Sequence, residues 1–317
     1  MKTQINLTTS CCDLDRFSSR EELLELLEGE GIELMCYEED ERGIVPPERV
    51  TGLHMSCLPN WLDFWKGDRE TCLREFDNAE TIRSIFGGET PEALLAHYRK
   101  DLQDAQRYGA EYMVFHVCNG SIEETFTGRS CHSDEEVIDA AAELLNELFS
   151  GVKDGPWLLL ENLWYAGHRF TEPEMTARLL EKVRYPKTGL MLDTGHLMHT
   201  CLSLKTQEDG VRYIHEMLDR HGDLAKHIRG VHLNQSITGE IMAKTQQNPP
   251  KLLPTYQERN KQLFYYVFSI DLHQPFTCPG VKELIERISP EYLTYEFISN
   301  DLEEHREMLK KQRAVFR

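Results

Sequence analysis

Eight short apolar runs recur along the 317-residue chain, and several amphipathic segments with readable helix caps lie between them. The runs are Gln4–Leu7, Ile32–Tyr37, Val50–Met55, Tyr112–Val117, Trp157–Leu160, Gly189–Leu192, Ile228–Leu233 and Tyr292–Phe297. Each is mostly continuous in its hydrophobicity, as parallel strands buried on both faces are. No internal repeat, low-complexity tract or Gly/Ser linker interrupts them. An eightfold βα alternation of this kind favours one closed (β/α)₈ barrel over residues 1–317. An open doubly wound sheet has less support, because no G-x-G-x-x-G follows an early strand.

The intervening segments carry helix start and stop signals. Ser18 and Ser19 stand three residues before Glu21 and Glu22, as two overlapping capping boxes. Thr90-Pro91 opens a helix that closes at Gly109, Ser133 with Glu136 caps another before Gly151, and Val281–Ile288 stops short of Pro290. Two stretches exceed what a βα connection needs, and each follows a strand that ends on histidine. Pro59–Glu89, after the strand of His54, carries Trp61, Phe64 and Trp65. Thr238–Phe268, after the strand of His232, carries three prolines and then Phe264, Tyr265 and Tyr266. Long aromatic loops in a compact domain read as lids over a binding site.

Composition narrows the function classes. The chain has 54 acidic residues against 35 Lys and Arg, a formal charge of −19, which argues against a nucleic-acid surface. No apolar run is long enough to span a bilayer, and the first residues lack the apolar core of a secretory signal. Nine scattered cysteines without a C-x-x-C pair suit reduced thiols in a cytoplasmic protein.

The chemistry is concentrated at the strand ends. Six successive runs end on His54, His116, Glu161, Asp193, His232 and Glu296. His196 follows in Asp-Thr-Gly-His, and Asp271 and His273 lie in the connection after His232. A lone strand-end histidine is ordinarily a hydrogen-bonded structural residue. A carboxylate after three leucines, as at Glu161, needs a partner to be buried. In a (β/α)₈ barrel all C-terminal strand ends face one pocket, so these nine side chains converge. Mixed His and carboxylate donors suit a divalent cation such as zinc or manganese. Asn162 and Asn234 each follow one of these residues and suit hydrogen bonding to a ligand, whereas His199 reads as a cap of the following helix.

Asp-Thr-Gly-His, Val-His-Leu-Asn, Leu-Leu-Glu-Asn and the late Tyr-Glu together resemble the xylose-isomerase-like TIM-barrel superfamily, from His54 to Glu296. That superfamily includes sugar and sugar-phosphate isomerases and epimerases, and the endonuclease IV type of abasic-site nuclease. Its epimerase branch implies one metal held by Glu161, Asp193, His232 and Glu296. There Glu161 and Glu296 form the acid/base pair and His196 touches a substrate oxygen. The nuclease branch implies three zinc ions on nine ligands: His54, His116, Glu161, Asp193, His196, His232, Asp271, His273 and Glu296. This chain departs from both branches. Thirty-eight residues separate His232 from Asp271, more than the nuclease pattern has, and Thr238 stands where the epimerases carry an arginine.

Two functions follow as expectations, with one to three divalent ions. The first is a sugar or sugar-phosphate isomerase or epimerase working by paired-carboxylate proton transfer. Trp61, Phe64, Trp65 and Asn234 would bind its substrate. The second is a multi-zinc phosphoester hydrolase, with a small phosphoester preferred to DNA. Substrate electrostatics lean to the first, because an acidic surface poses no obstacle to a neutral sugar. A barrel that only binds metal ranks last, and homo-oligomerisation is left open.

Overall fold

A computed structural model describes residues 1–317. Eight parallel strands close into a barrel: β1 Lys2–Thr8, β2 Gly31–Met35, β3 Val50–His54, β4 Tyr112–His116, β5 Trp157–Glu161, β6 Thr188–Asp193, β7 Ile228–Leu233 and β8 Tyr292–Tyr295. Neighbours in the barrel are neighbours in sequence, and β8 pairs with β1 to complete the ring. All eight apolar runs become strands, trimmed by a residue or two at some ends. Glu296 lies one residue beyond β8.

Helices with the expected boundaries surround the ring. Pro91 begins the helix Pro91–Tyr108, which Gly109 closes in the left-handed region at φ 67°. Ser133 caps Asp134–Leu148, and Gly280–Ile288 ends on Ser289. The doubled capping box resolves into a split one. Ser19 accepts from the Glu22 backbone N–H, while the Glu22 carboxylate accepts from the backbone and hydroxyl of Ser18 at 2.8 Å.

The largest apolar cluster, of 66 buried residues, fills the space between strands and helices. Inside the ring the filling is partly polar. Tyr112 donates to Glu33 at 2.5 Å and accepts from Gln4 at 2.7 Å, and Thr294 donates to Glu33 at 3.0 Å. Gly52 makes room for this arrangement, since a Cβ there would stand 2.1 Å from the Tyr112 ring.

The two long connections fold as helices. Residues 59–89 form Leu62–Trp65, Arg69–Phe76 and Ala79–Phe86, and residues 238–270 form Gly239–Gln247 and Tyr256–Ile270. Trp61 and Phe64 are buried core residues: the Trp61 indole donates to the Cys118 carbonyl at 2.8 Å, and Phe64 stacks on Phe86 at 4.0 Å. Trp65 packs against the same core. These three aromatics anchor their excursion to the barrel, and the cavity wall is drawn from other residues. No helix is long and apolar enough to cross a membrane, and all nine cysteines are free.

Candidate metal centre

The nine side chains meet at the C-terminal mouth of the barrel. Their donor atoms fall into compact groups, with atoms within 4.8 Å of one another in each. One group is His54, His116 and Glu161, a second is Glu161, Asp193, His232 and Glu296, a third is His196, Asp271 and His273, and Glu33 joins His54, His232 and Glu296 in a fourth. Glu161 belongs to two of them. Its Oε2 lies 3.2 Å from His54 Nε2 and 3.0 Å from His116 Nε2, and its Oε1 lies 3.2 Å from both His232 Nδ1 and His196 Nδ1. The third group is tied in through His196, whose Nε2 is 3.5 Å from Asp271 Oδ2, an oxygen 3.1 Å from His273 Nε2.

The long insertion before Asp271 does not displace it. The chain leaves β7, forms its two helices and returns, and a pair of backbone hydrogen bonds between Gln235 and Gln274 closes the excursion at its base. Ser236 accepts from the Leu272 N–H at 2.8 Å, and Thr238 donates to the Ile270 carbonyl at 2.7 Å. Asp271 therefore sits at the C-terminal end of Tyr256–Ile270, beside His196. His273 is held at φ 45°, a left-handed conformation that a non-glycine residue adopts at a cost of order 1 kcal/mol or more.

Residues around the groups fix their orientation. Asn234 is fully buried and donates to Asp193 Oδ2 at 2.7 Å and to Glu296 Oε2 at 3.4 Å, so it clamps carboxylates rather than meeting a substrate. The Asn162 side chain bridges the backbone N–H and carbonyl of Asp193, and its own carbonyl accepts from His196 Nδ1. His199 caps no following helix. It closes the helix Thr194–His199, and its Nε2 lies 3.0 Å from the Ile270 carbonyl, bracing the turn that carries Asp271. Glu33 escaped the sequence reading. It lies in mid-strand in β2, buried, with His232 Nε2 2.8 Å from its Oε1. The available signal was a carboxylate between Ile32 and Leu34.

The electrostatics of this cluster are those of donors that need cations. Burial opposes a charged His116, but Glu161 outweighs it and lifts the imidazole to about 10. Burial likewise works against the Glu161 carboxylate, yet His116 and His232 hold it well below the usual carboxylate range. Burial pushes Asp193 up to about 7, with Glu296 adding to the push and His196 opposing it. In the bare protein, protons on imidazoles thus balance the carboxylates, and a divalent cation would take the place of those protons. Asp271 Oδ1 is buried without a hydrogen-bond partner, as a donor atom kept for an ion is. The residues fit a bound metal.

Above the groups lies a cavity of about 510 Å³, reached by His54, His116, His196, Asp271, His273 and Glu296 on its floor. Its walls are mainly apolar and include no Lys or Arg.

A closed (β/α)₈ barrel with clustered His and carboxylate donors at its C-terminal mouth defines a class of metal-centre barrel enzymes. Residues 86–278 match the family model described as xylose isomerase-like TIM barrel, and the chain belongs to that family. A probable endonuclease 4 of Halothermothrix orenii is 32% identical over 146 residues, 44% of this chain and 48% of that relative, so the match spans about half the relative's length. Among solved structures, a D-tagatose 3-epimerase-like protein superposes with a TM-score of 0.53 at 14% identity, covering 100% of this chain and 98% of that one. The IOLI protein, crystallised with a zinc atom, superposes with a TM-score of 0.51 at 12% identity, covering 99% and 96%. At such identities the superpositions show the shared fold.

Proposed function

We propose that this protein is a multi-zinc phosphoester hydrolase, with His54, His116, Glu161, Asp193, His196, His232, Asp271, His273 and Glu296 as its metal ligands. The observation that carries the reading is the position of Glu161, whose two oxygens face two different donor groups while a third group stands beside them. One ion needs only Glu161, Asp193, His232 and Glu296, and would leave His54, His116, Asp271 and His273 to bind substrate without a metal. Charge supports the same choice. The four carboxylates among the nine ligands bring four formal negative charges. Three divalent ions, with the imidazoles neutral as ligands, outweigh those charges and leave the cluster positive and matched to an anionic ester. The match to a probable endonuclease 4 agrees with this chemistry.

Bound ions would supply a Lewis acid for phosphoryl oxygens and a water nucleophile near neutral pH. The chain's own contribution is positional. Glu161 spaces two groups, Asn234 holds Asp193 against Glu296, and Trp164 and Tyr165 wall the cavity against water. The isomerase or epimerase reading keeps buried Glu161 and half-buried Glu296, both within 3.3 Å of His232 Nδ1, as its acid and base. It fits the cavity less well, because a sugar's many hydroxyls would find few partners on mainly apolar walls beyond Asn60, Asn260 and the tyrosines.

Metal analysis tests the choice. The purified protein should bind about three zinc ions per chain, and His116→Ala and His273→Ala should each lose about one. A ratio of one that neither substitution changes would return the site to the mononuclear, isomerase-like reading.

A further inference from the structure

The two excursions meet over the metal-ligand groups, and their meeting is built. Arg259, in the helix Tyr256–Ile270, places Nη2 2.7 Å from Asp77 Oδ1 and donates to the Glu75 carbonyl at 2.8 Å. The Tyr256 backbone N–H donates to the other Asp77 oxygen, and the Tyr256 ring meets Phe76 edge to face at 5.3 Å. Asp77 is the residue after the helix Arg69–Phe76 and has φ 70° without being glycine. Such a conformation persists where surrounding contacts enforce it. Below this clasp the cavity wall is Phe76, Ile85, Tyr256, Leu263 and Phe264.

We propose that the clasped excursions form a specificity chamber for a phosphomonoester of a single compact apolar alcohol, an aromatic ring above all, and that they exclude polymeric phosphodiesters. The inference rests on the hydrolase reading and adds the substrate class. A phosphate would sit at the floor, since the walls offer no Lys or Arg to meet it. The ester's organic group then points up into the apolar walls, where burial is favourable. Water adds to phosphorus, the P–O bond to the organic group breaks, and one proton of the water passes to the departing oxygen, giving alcohol and inorganic phosphate. A duplex is ill matched to this mouth. Half or more of protein–DNA hydrogen bonds go to phosphate and sugar, and cationic side chains supply much of that contact.

The test uses binding of ligands with an uncleavable C–P bond, measured calorimetrically on the zinc-loaded protein. Phenylphosphonate should bind about tenfold or more tighter than methylphosphonate, the gain from burying a ring. A duplex carrying a tetrahydrofuran abasic analogue should bind more weakly than phenylphosphonate. Phe264→Ala, at a half-exposed position that leaves the fold intact, should narrow the phenyl-to-methyl ratio towards one. Arg259→Ala should narrow it too by releasing the clasp. Equal affinity for the two phosphonates, an unchanged ratio in both variants, or tighter duplex binding would each overturn the chamber. Methylphosphonate binding separates the two layers. If it binds and the ring adds nothing, only the chamber fails; if neither phosphonate binds, the hydrolase reading fails with it.

Discussion

Nε2 of His232 lies 2.8 Å from Oε1 and 3.1 Å from Oε2 of Glu33, and both side chains are buried. The contact turns Nδ1 of His232 toward Glu161, Asp193 and Glu296, the proposed ligands of one ion. A carboxylate behind a ligating imidazole fixes the ring and raises its basicity. Glu33→Ala should therefore weaken binding of one ion about 10–100-fold while the others stay bound. Competition with a chelator, followed by metal analysis, measures this. Loss of all ions together would show that the groups act as a single unit.

Gly195 faces the same clamp from the other side. A Cβ at this position would stand 1.9 Å from Asn234 Oδ1, and Asn234 is fully buried. Gly195→Ala should displace Asn234 from Asp193 and destabilise the fold by about 1–3 kcal/mol, as overpacking in a closed site does. Thermal unfolding should record a lower Tm together with reduced metal content. A wild-type Tm would mean that the turn relaxes without touching the clamp.

Away from the metal centre, His168 is buried and pushed down to about 3 by burial and by neighbouring His221, and its Nε2 hydrogen-bonds Thr176 at 3.1 Å. Its pKa is depressed in the folded state. The unfolded chain therefore takes up the proton first, below about 6.5. Stability is fully present above that value and falls as the pH drops toward 3. The slope from this one group reaches about 1.4 kcal/mol per pH unit. Urea unfolding of the metal-free protein at several pH values should show a shallower decline in His168→Gln than in wild type. Subtracting the two slopes cancels the distant metal cluster. Parallel slopes would refute the assignment.

The stretch between the two helices of the second excursion, 248–255, has no regular structure, and Lys251 is exposed. Trypsin should cut first after Lys251. The strands of the barrel run from residue 2 to residue 295, so we expect the nicked protein to stay one unit through gel filtration and to unfold in a single transition. Two separable folded fragments would contradict a single domain over residues 1–317.

Local physics made the frame legible from sequence. Strand and helix signals are short-range, so the eight runs, the caps and the histidines and carboxylates at strand ends could be read directly. Barrel closure then brings the C-terminal ends together whatever lies between them. Contacts between distant segments decided the rest. Trp61, Phe64 and Trp65 read as lid residues because nothing local distinguishes an aromatic that anchors a loop from one that faces a cavity. Asn234 reads from sequence both as a hydrogen-bond partner of a ligand and as a substrate contact, and the fold sets it against Asp193 and Glu296. Glu33 stayed hidden because a strand apolar on both faces does not reveal which face turns inward, and His232 is 199 residues away. The insertion between His232 and Asp271 looked like a departure from the ligand pattern, but the Gln235–Gln274 pairing cancels it by bringing both ends of the excursion back to one point. Sequence determines which residue types stand at the strand ends. Burial and partner are properties of the closed fold, because they depend on atoms that only folding brings within reach.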